Sequence, residues 1–339
     1  MRAFERATVG ITGAVALAVS VLTATSDGGT ADAVVGGVEV SPSIYPAFVR
    51  VSSPGSQCGG TVIAPDTVLT AGHCIDDGAT ADEVSVLVRD VTRRQATAVL
   101  VHPLWNGNPT DGHDLGLITL TAHSTDDVVP VQAGSPWDDS YLAADVPATI
   151  VGHGATAWGG EATSELRAVD TVLRSDHWMD DIYDHWYWFD GWNEPLHIGA
   201  GDSRHTACGG DSGGPLFVDK DGTWTWIQVG VASFNSKGLG FLTDGCDEAA
   251  GFTELSNSQL AWVAQHAPSV KDRWGPCLTD RGTVGTAMAS YSYDPSNANE
   301  GPYHWTLHCF GGSTGGRPTD PTPPAICELH PRKCPETGP

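Results

Sequence analysis

The stretch Cys208-Gly-Gly-Asp-Ser-Gly-Gly-Pro215 surrounds one serine with four glycines, an aspartate and a cysteine. Glycine costs backbone entropy on folding and buries no side chain, so four so close together mark a backbone held in a demanding shape. One such shape is a pocket of inward-pointing N–H groups beside a reactive hydroxyl; a Gly-rich turn between two strands is the plainer alternative. A serine hydroxyl is a weak nucleophile at neutral pH and needs a base. That base is usually a histidine held by a carboxylate. Among 13 histidines, His73 lies in Thr70-Ala-Gly-His-Cys74, just after the apolar pair Val68-Leu69. Asp114 lies in His113-Asp-Leu-Gly-Leu-Ile118, at the start of another apolar run. The chain order is therefore His, Asp, Ser, each at a strand end where a loop can present it to a cleft.

Outward from these residues, Val34 to about Ala267 reads as short alternating or apolar runs broken by turn residues. They include Ala47–Val51, Glu83–Val88, Ala96–Val101, Leu115–Leu120, Ala148–Val151 and Trp226–Val231. Such runs are β-strands, and 41 glycines and 22 prolines supply the turns between them. Their number and spacing favour an antiparallel barrel or sandwich. Ser256–Ala267 is the best helix candidate: Ser256 is placed to cap it, and Leu260, Val263 and Ala264 form one apolar face.

The 339-residue chain is long enough for a sizeable core and more than one domain. A formal net charge of -24 repels phosphate backbones and anionic lipid, which argues against a nucleic-acid partner. Arg2 and Arg6 precede the 14-residue apolar run Ile11–Ala24, short for a span of about 20 residues, so residues 1–33 read as a secretory signal and processing segment rather than a membrane anchor. Export suits the eight cysteines as disulfides; zinc is the other use of cysteine, but no CxxC pair occurs. The organisation expected is 1–33 for targeting, 34–267 for the main domain, 268–310 for a small disulfide-containing extension and 311–339 for a Gly/Pro-rich linker and tail.

The motifs together resemble the trypsin/chymotrypsin-like serine proteases, in a secreted bacterial-type form. The resemblance rests on Val34-Val-Gly-Gly37, Cys58-Gly-Gly60 followed by Thr70–Cys74, Val101-His-Pro103, His113–Leu120, the Gly210–Pro215 box and Val231–Phe234, in order over about two-thirds of the chain. It implies an all-β fold of two antiparallel six-stranded β-barrels with the active site between them and a C-terminal helix. It implies Ser212 as nucleophile, His73 as general base and acid, Asp114 as its orienting carboxylate, and the N–H groups of Gly210 and Ser212 as oxyanion hole. That triad is a general arrangement for acyl transfer through a serine. Ser233 matches the serine that hydrogen-bonds the triad aspartate. Cys58–Cys74 and Cys208–Cys246 are the implied disulfides. A new ammonium at Val34 is implied to pair with Asp211, and Ala31-Asp-Ala33 before it fits signal peptidase better than a zymogen cut. No cofactor or metal is implied. The expected partners are protein or peptide substrates, without nucleic acid or a stable membrane anchor, for an extracellular monomer. A catalytically silent relative used for binding or adhesion is the alternative.

The primary specificity pocket departs from the pattern. Thr206 stands where Lys/Arg-cleaving members carry an aspartate, and Asn235 replaces a small glycine after Ser233-Phe234. Ala250 and Gly251 keep the far wall small. The expectation is a preference for uncharged residues before the scissile bond. Asp202, Asp244, Asp247 and Glu248 are the acids available near the mouth. The acidic, aromatic segment Asp176–Trp192 would, as a helix, place His177, Asp181, Asp184 and His185 on one face, so a metal site is conceivable there, but a surface helix lining the cleft is the favoured reading. Residues Asp76–Glu83 raise the question of calcium without answering it. Proximity suggests Cys277–Cys309 and Cys327–Cys334 as pairs.

Overall fold

The computed structural model describes residues 34–76, 78–122, 124–125, 127–183, 191–220, 222, 225–235, 245–274, 277–278, 284–293 and 303–311. Residues 1–33, read as a targeting segment, together with Asp184, His185, Asp244 and the tail with Cys327 and Cys334, lie outside these residues.

Two closed six-stranded antiparallel barrels carry the chain, as the resemblance implied. The first is built from β1 (Phe48–Ser53), β2 (Ser56–Ala64), β3 (Thr67–Thr70), β4 (Ser85–Val88), β5 (Thr92–Val101) and β6 (Gly116–Leu120), paired in the order β1-β2-β3-β6-β5-β4 and back to β1. The second uses β7 (Pro147–Gly152), β8 (Arg167–Arg174), β9 (His197–Ala200), β10 (Pro215–Asp219), β11 (Trp226–Phe234) and β12 (Ala250–Glu254) in the same order, β7-β8-β9-β12-β11-β10 and back to β7. The six runs read as strands from the sequence each overlap one of these elements, but the run Glu83–Val88 begins too early: Glu83 closes a 3-10 turn and the strand starts at Ser85. Alternation explains the placement: in β1 the side chains of Val49 and Val51 enter the first core while Arg50 points out to Asp90. Burying one such aliphatic side chain contributes about 1.5–3 kcal/mol. Ile150, Val169, Leu173, Ile198, Leu216, Val229 and Phe252 fill the second core.

Polar side chains meet at the seam of the barrels. Asp90 accepts Arg50 Nε at 2.8 Å and lies 3.3 Å from His153 Nε2 of the second barrel. The same arginine donates to the carbonyl of Ser164.

The helix expected over Ser256–Ala267 is α2 (Asn257–His266), following the earlier α1 (Asp176–Tyr183). Two details of that reading change. Ser256 donates to Glu254 instead of capping, and every residue from Gln259 to Gln265 is buried, not one face. The reason is a second cover. The extension forms β13 (Cys277–Leu278), β14 (Val284–Tyr293) and β15 (Tyr303–Gly311), an antiparallel sheet stapled by Cys277–Cys309. It lies against α2, and its Ala287, Ala289 and Trp305 join Trp262 in the first barrel's core.

Candidate active site

The loop carrying Ser212 is fixed from both barrels. Asp211 N–H donates to Cys208 O at 3.0 Å and Gly214 N–H to Asp211 O at 2.9 Å, closing a tight turn. Gly213 N–H bonds Ala232 O at 2.8 Å within the second barrel, and Gly59 N–H of the first barrel bonds Ser212 O at 2.7 Å. Two glycines of the motif hold a left-handed φ. Gly210 has φ +97°, and Gly213 has φ +75° with Thr70 Oγ1 only 2.2 Å from where a Cβ would sit.

His73 stands on the single turn Gly72–Cys74, whose last residue is bonded to Cys58. Its backbone N–H donates to Asp114 Oδ1 at 2.9 Å and its Nδ1 lies 2.7 Å from Asp114 Oδ2. Ser233 Oγ donates to the same Oδ2 at 2.5 Å. Asp114 is fully buried, while His73 keeps 30% of its side chain exposed. A carboxylate only accepts, so Nδ1 carries the imidazole proton and Nε2 is the basic nitrogen. Charge-assisted bonds of this length are the stronger kind, and three of them converge on one carboxylate.

The second disulfide, Cys208–Cys246, borders the pocket residues. Thr206 is fully buried, and its Oγ1 has no hydrogen-bond partner among the described residues. Asn235 Nδ2 donates to Ala207 O at 2.9 Å and approaches Cys246 Sγ at 3.4 Å, so its amide bridges two segments of the wall. The Phe234 ring lies over Gly251, where a Cβ would meet it at 2.3 Å. It is also edge-on to Tyr183 and His197 at 5.3 and 5.0 Å. Ala250 is buried. Asp202 is occupied locally, receiving the N–H groups of Arg204 and His205 and lying 3.6 Å from Arg174.

Asp211 turns its carboxylate inward, taking N–H bonds from Gly154 at 2.7 Å and Cys208 at 2.9 Å. Burial pushes its pKa up to about 7 despite those two bonds. Val34 is fully buried in the second core, and Val35 pairs with Thr206 through N–H to O at 2.9 Å.

Motif reasoning missed the layer of imidazoles behind Asp114. His197 Nε2 lies 3.1 Å from Pro109 O, and its Nδ1 accepts Asn193 N–H at 3.1 Å. Burial lowers the pKa of both His113 and His197 to about 4. The only signal in the sequence was the repeated histidine beside apolar runs. His177 and Asp181 do lie on α1; the other two residues of that suggested face are outside the described set. In Asp76–Glu83, Asp76 accepts Trp105 Nε1 and Glu83 closes a capping box with Thr80. Cys58, Cys74 and His73 bring sulfur and nitrogen atoms within 4.8 Å, but the two sulfurs are bonded to each other and offer no thiolate.

Known proteins similar to this chain belong to one family. The family model described as Trypsin matches residues 34–249. Chymotrypsin-like elastase family member 1 of Macaca fascicularis is 30% identical over 250 residues, which cover 68% of this chain and 88% of that protein. A trypsin of Saccharopolyspora erythraea is 31% identical over 203 residues, 57% of this chain and 86% of its own. Proproteinase E of Bos taurus is 35% identical over 191 residues, 53% of this chain and 72% of its own.

Proposed function

The chain belongs to the trypsin family of serine endopeptidases, and from that premise we propose that it is an exported enzyme cleaving protein or peptide substrates through Ser212, His73 and Asp114. The observation that carries this reading is the buried Asp114 carboxylate holding His73 from both its backbone N–H and its Nδ1. As Ser212 Oγ attacks the scissile carbonyl carbon, His73 Nε2 takes the hydroxyl proton. The oxygen gains negative charge facing the N–H groups of Gly210 and Ser212. Collapse breaks the C–N bond, and the imidazolium gives its proton to the leaving amine. Water then repeats the sequence on the acyl-enzyme, restoring Ser212. Asp114 stays ionised and stabilises the imidazolium, with Ser233 holding its second lone pair. Each oxyanion donor accounts for on the order of 100–1,000-fold in rate.

Three disulfides among the described residues support an oxidising compartment. The buried Asp211 carboxylate supports activation by a free ammonium at Val34, exposed on export. For specificity, the uncharged Thr206 and the bridging Asn235 amide support cleavage after small or medium uncharged residues, because a buried cation there would lack a counter-ion. The test is titration of the processed protein with a serine-directed acylating reagent. One acyl group per chain on Ser212, with parallel loss of peptidase activity, is expected. Unlabelled Ser212 would instead mean a silent binding relative.

A further inference from the structure

Aromatic rings are layered behind the triad carboxylate. His102 stacks on His113 with centroids 4.7 Å apart and an 8° interplanar angle. His102 also meets Trp262 of α2 at 4.8 Å and Trp305 of β15 at 5.0 Å, and its Nδ1 accepts Leu104 N–H at 3.3 Å. His113 directly precedes Asp114 and is held at φ +61°, a conformation that an L-residue keeps only under constraint. The layer also clamps the backbone: His102 N–H donates to Leu115 O at 2.9 Å, and Leu115 N–H to His113 O at 2.8 Å. His102 and Trp305 are 1% and 5% exposed. Trp305 comes from the extension, beyond the residues 34–249 that the family model matches.

We propose that Trp305 is a positioning residue for catalysis: carried by the C-terminal hairpin, it seals the His102–His113 stack against water and so fixes the surroundings of Asp114. The extension is then part of the catalytic unit, not an appended binding module. The inference rests on the reading that Asp114 serves His73.

The electrostatic consequence follows from burial. Dry and packed, His113 remains neutral well below its ordinary range, and the nearby His197 opposes its charging further. Admitted water would let His113 titrate near ~6.5. Its cation beside Asp114 would then compete with the His73 imidazolium for the carboxylate. The groups facing this layer are His102 at the end of β5, Asp111 and Asp114 on the same loop as His113, and His197 of β9. On the covering elements, His266 of α2 contacts Trp262 at 5.1 Å, and His308 of β15 bonds Ser290 at 2.8 Å.

The experiment measures kcat and KM from pH 5 to 9 on a peptide amide for the full processed chain, Trp305→Ala and Trp305→Phe. For Trp305→Ala the acid limb of kcat should steepen from one proton to two, adding about a tenfold loss at pH 5.5 relative to pH 8.5, as expected for a group titrating near ~6.5. KM should not share that pH dependence, and Trp305→Phe should restore the single-proton limb. A profile parallel to the parent's, whether active or uniformly weakened, overturns the proposal. If Trp305→Ala does not accumulate, histidine NMR of the parent decides: His113 should not titrate above pH 5, and titration near ~6.5 overturns the proposal equally. Asp114→Asn separates the two levels. Parental activity in that variant removes the underlying reading. A loss of about 10,000-fold beside an unchanged Trp305→Ala profile removes only the positioning role.

Discussion

The carbonyl of Ser212 accepts the N–H of Gly59 at 2.7 Å. This bond joins the loop of the second barrel to β2 of the first, one residue from the Cys58–Cys74 disulfide that anchors His73. One short path thus links Ser212 to His73, the proposed nucleophile and base. Gly59 must be glycine, since a Cβ there would lie 2.8 Å from Gly214 Cα, a backbone atom. Gly59→Ala should lower kcat at least tenfold, because displacement of about 1 Å in a reacting group costs on the order of 100-fold. Steady-state kinetics beside a circular-dichroism spectrum tests this; unaltered kcat in a folded variant would refute the path.

Ser212→Ala and His73→Ala should each reduce peptide hydrolysis by several orders of magnitude, and the double variant by little more, since the two act as a unit. Peptidase assays of the three folded proteins are the check. Additive losses, or activity within tenfold of the parent for either single variant, would contradict the assignment.

Asn235→Gly should remove the amide that bridges Ala207 O and the Cys246 sulfur, and shift cleavage toward larger apolar residues. Thr206→Asp should instead bring in Lys and Arg by supplying the missing counter-ion. Cleavage of a diverse peptide library, read by mass spectrometry, resolves both. A parent that already prefers Lys or Arg would disprove the pocket reading.

Burial holds His113 and His197 at folded pKa values near 4, against an ordinary histidine value of about 6.5. Between those values the unfolded chain binds protons that the folded chain does not, so stability falls as pH drops from about 6.5 to about 4. Each group accounts for about 3 kcal/mol over the full window. Thermal melts should show Tm falling steeply across it, and His197→Gln should flatten the slope. A Tm independent of pH there would show that these imidazoles are not held neutral.

Asp211 behaves in the opposite sense. With residues still attached before Val34, its folded pKa of about 7 lies above the unfolded 3.8. The unfolded chain therefore releases a proton that the folded chain retains, and stability falls as pH rises through about 4 to 7. A free Val34 ammonium beside the carboxylate should offset this loss, which is on the order of 4 kcal/mol. Melts of processed and unprocessed protein should diverge as pH rises, and Asp211→Asn should abolish the divergence. Parallel curves would exclude the pairing.

Strands and motif residues were legible because their signals are local. Alternation marked β1 and β11, and the residue types around His73, Asp114 and Ser212 marked loops that the barrels bring together. The rest depends on neighbours remote in the chain. The apolar face expected for α2 was correct as far as Leu260, Val263 and Ala264 go. Burial of Gln259 and Gln265 on the same helix needed a hairpin that begins after Pro268. The Asn235 bridge required the pocket wall itself, since no spacing reveals which carbonyl an amide will meet. The stack under Asp114 joins residues 102, 113, 262 and 305, and four separate single aromatics carry no pattern.

That contact between His102 and Trp305 also sets a schedule for biosynthesis. The ring that finishes the wall behind Asp114 is made about two hundred residues after the histidine it covers, so during synthesis the first barrel stands with an open flank while the second is still being produced. Completing it requires closing a long loop, an entropic cost that grows only slowly with length but one that cannot be met until β15 has been made. A chain cut short before Trp305 would carry every residue of the triad and still leave the His102–His113 stack without its outer ring.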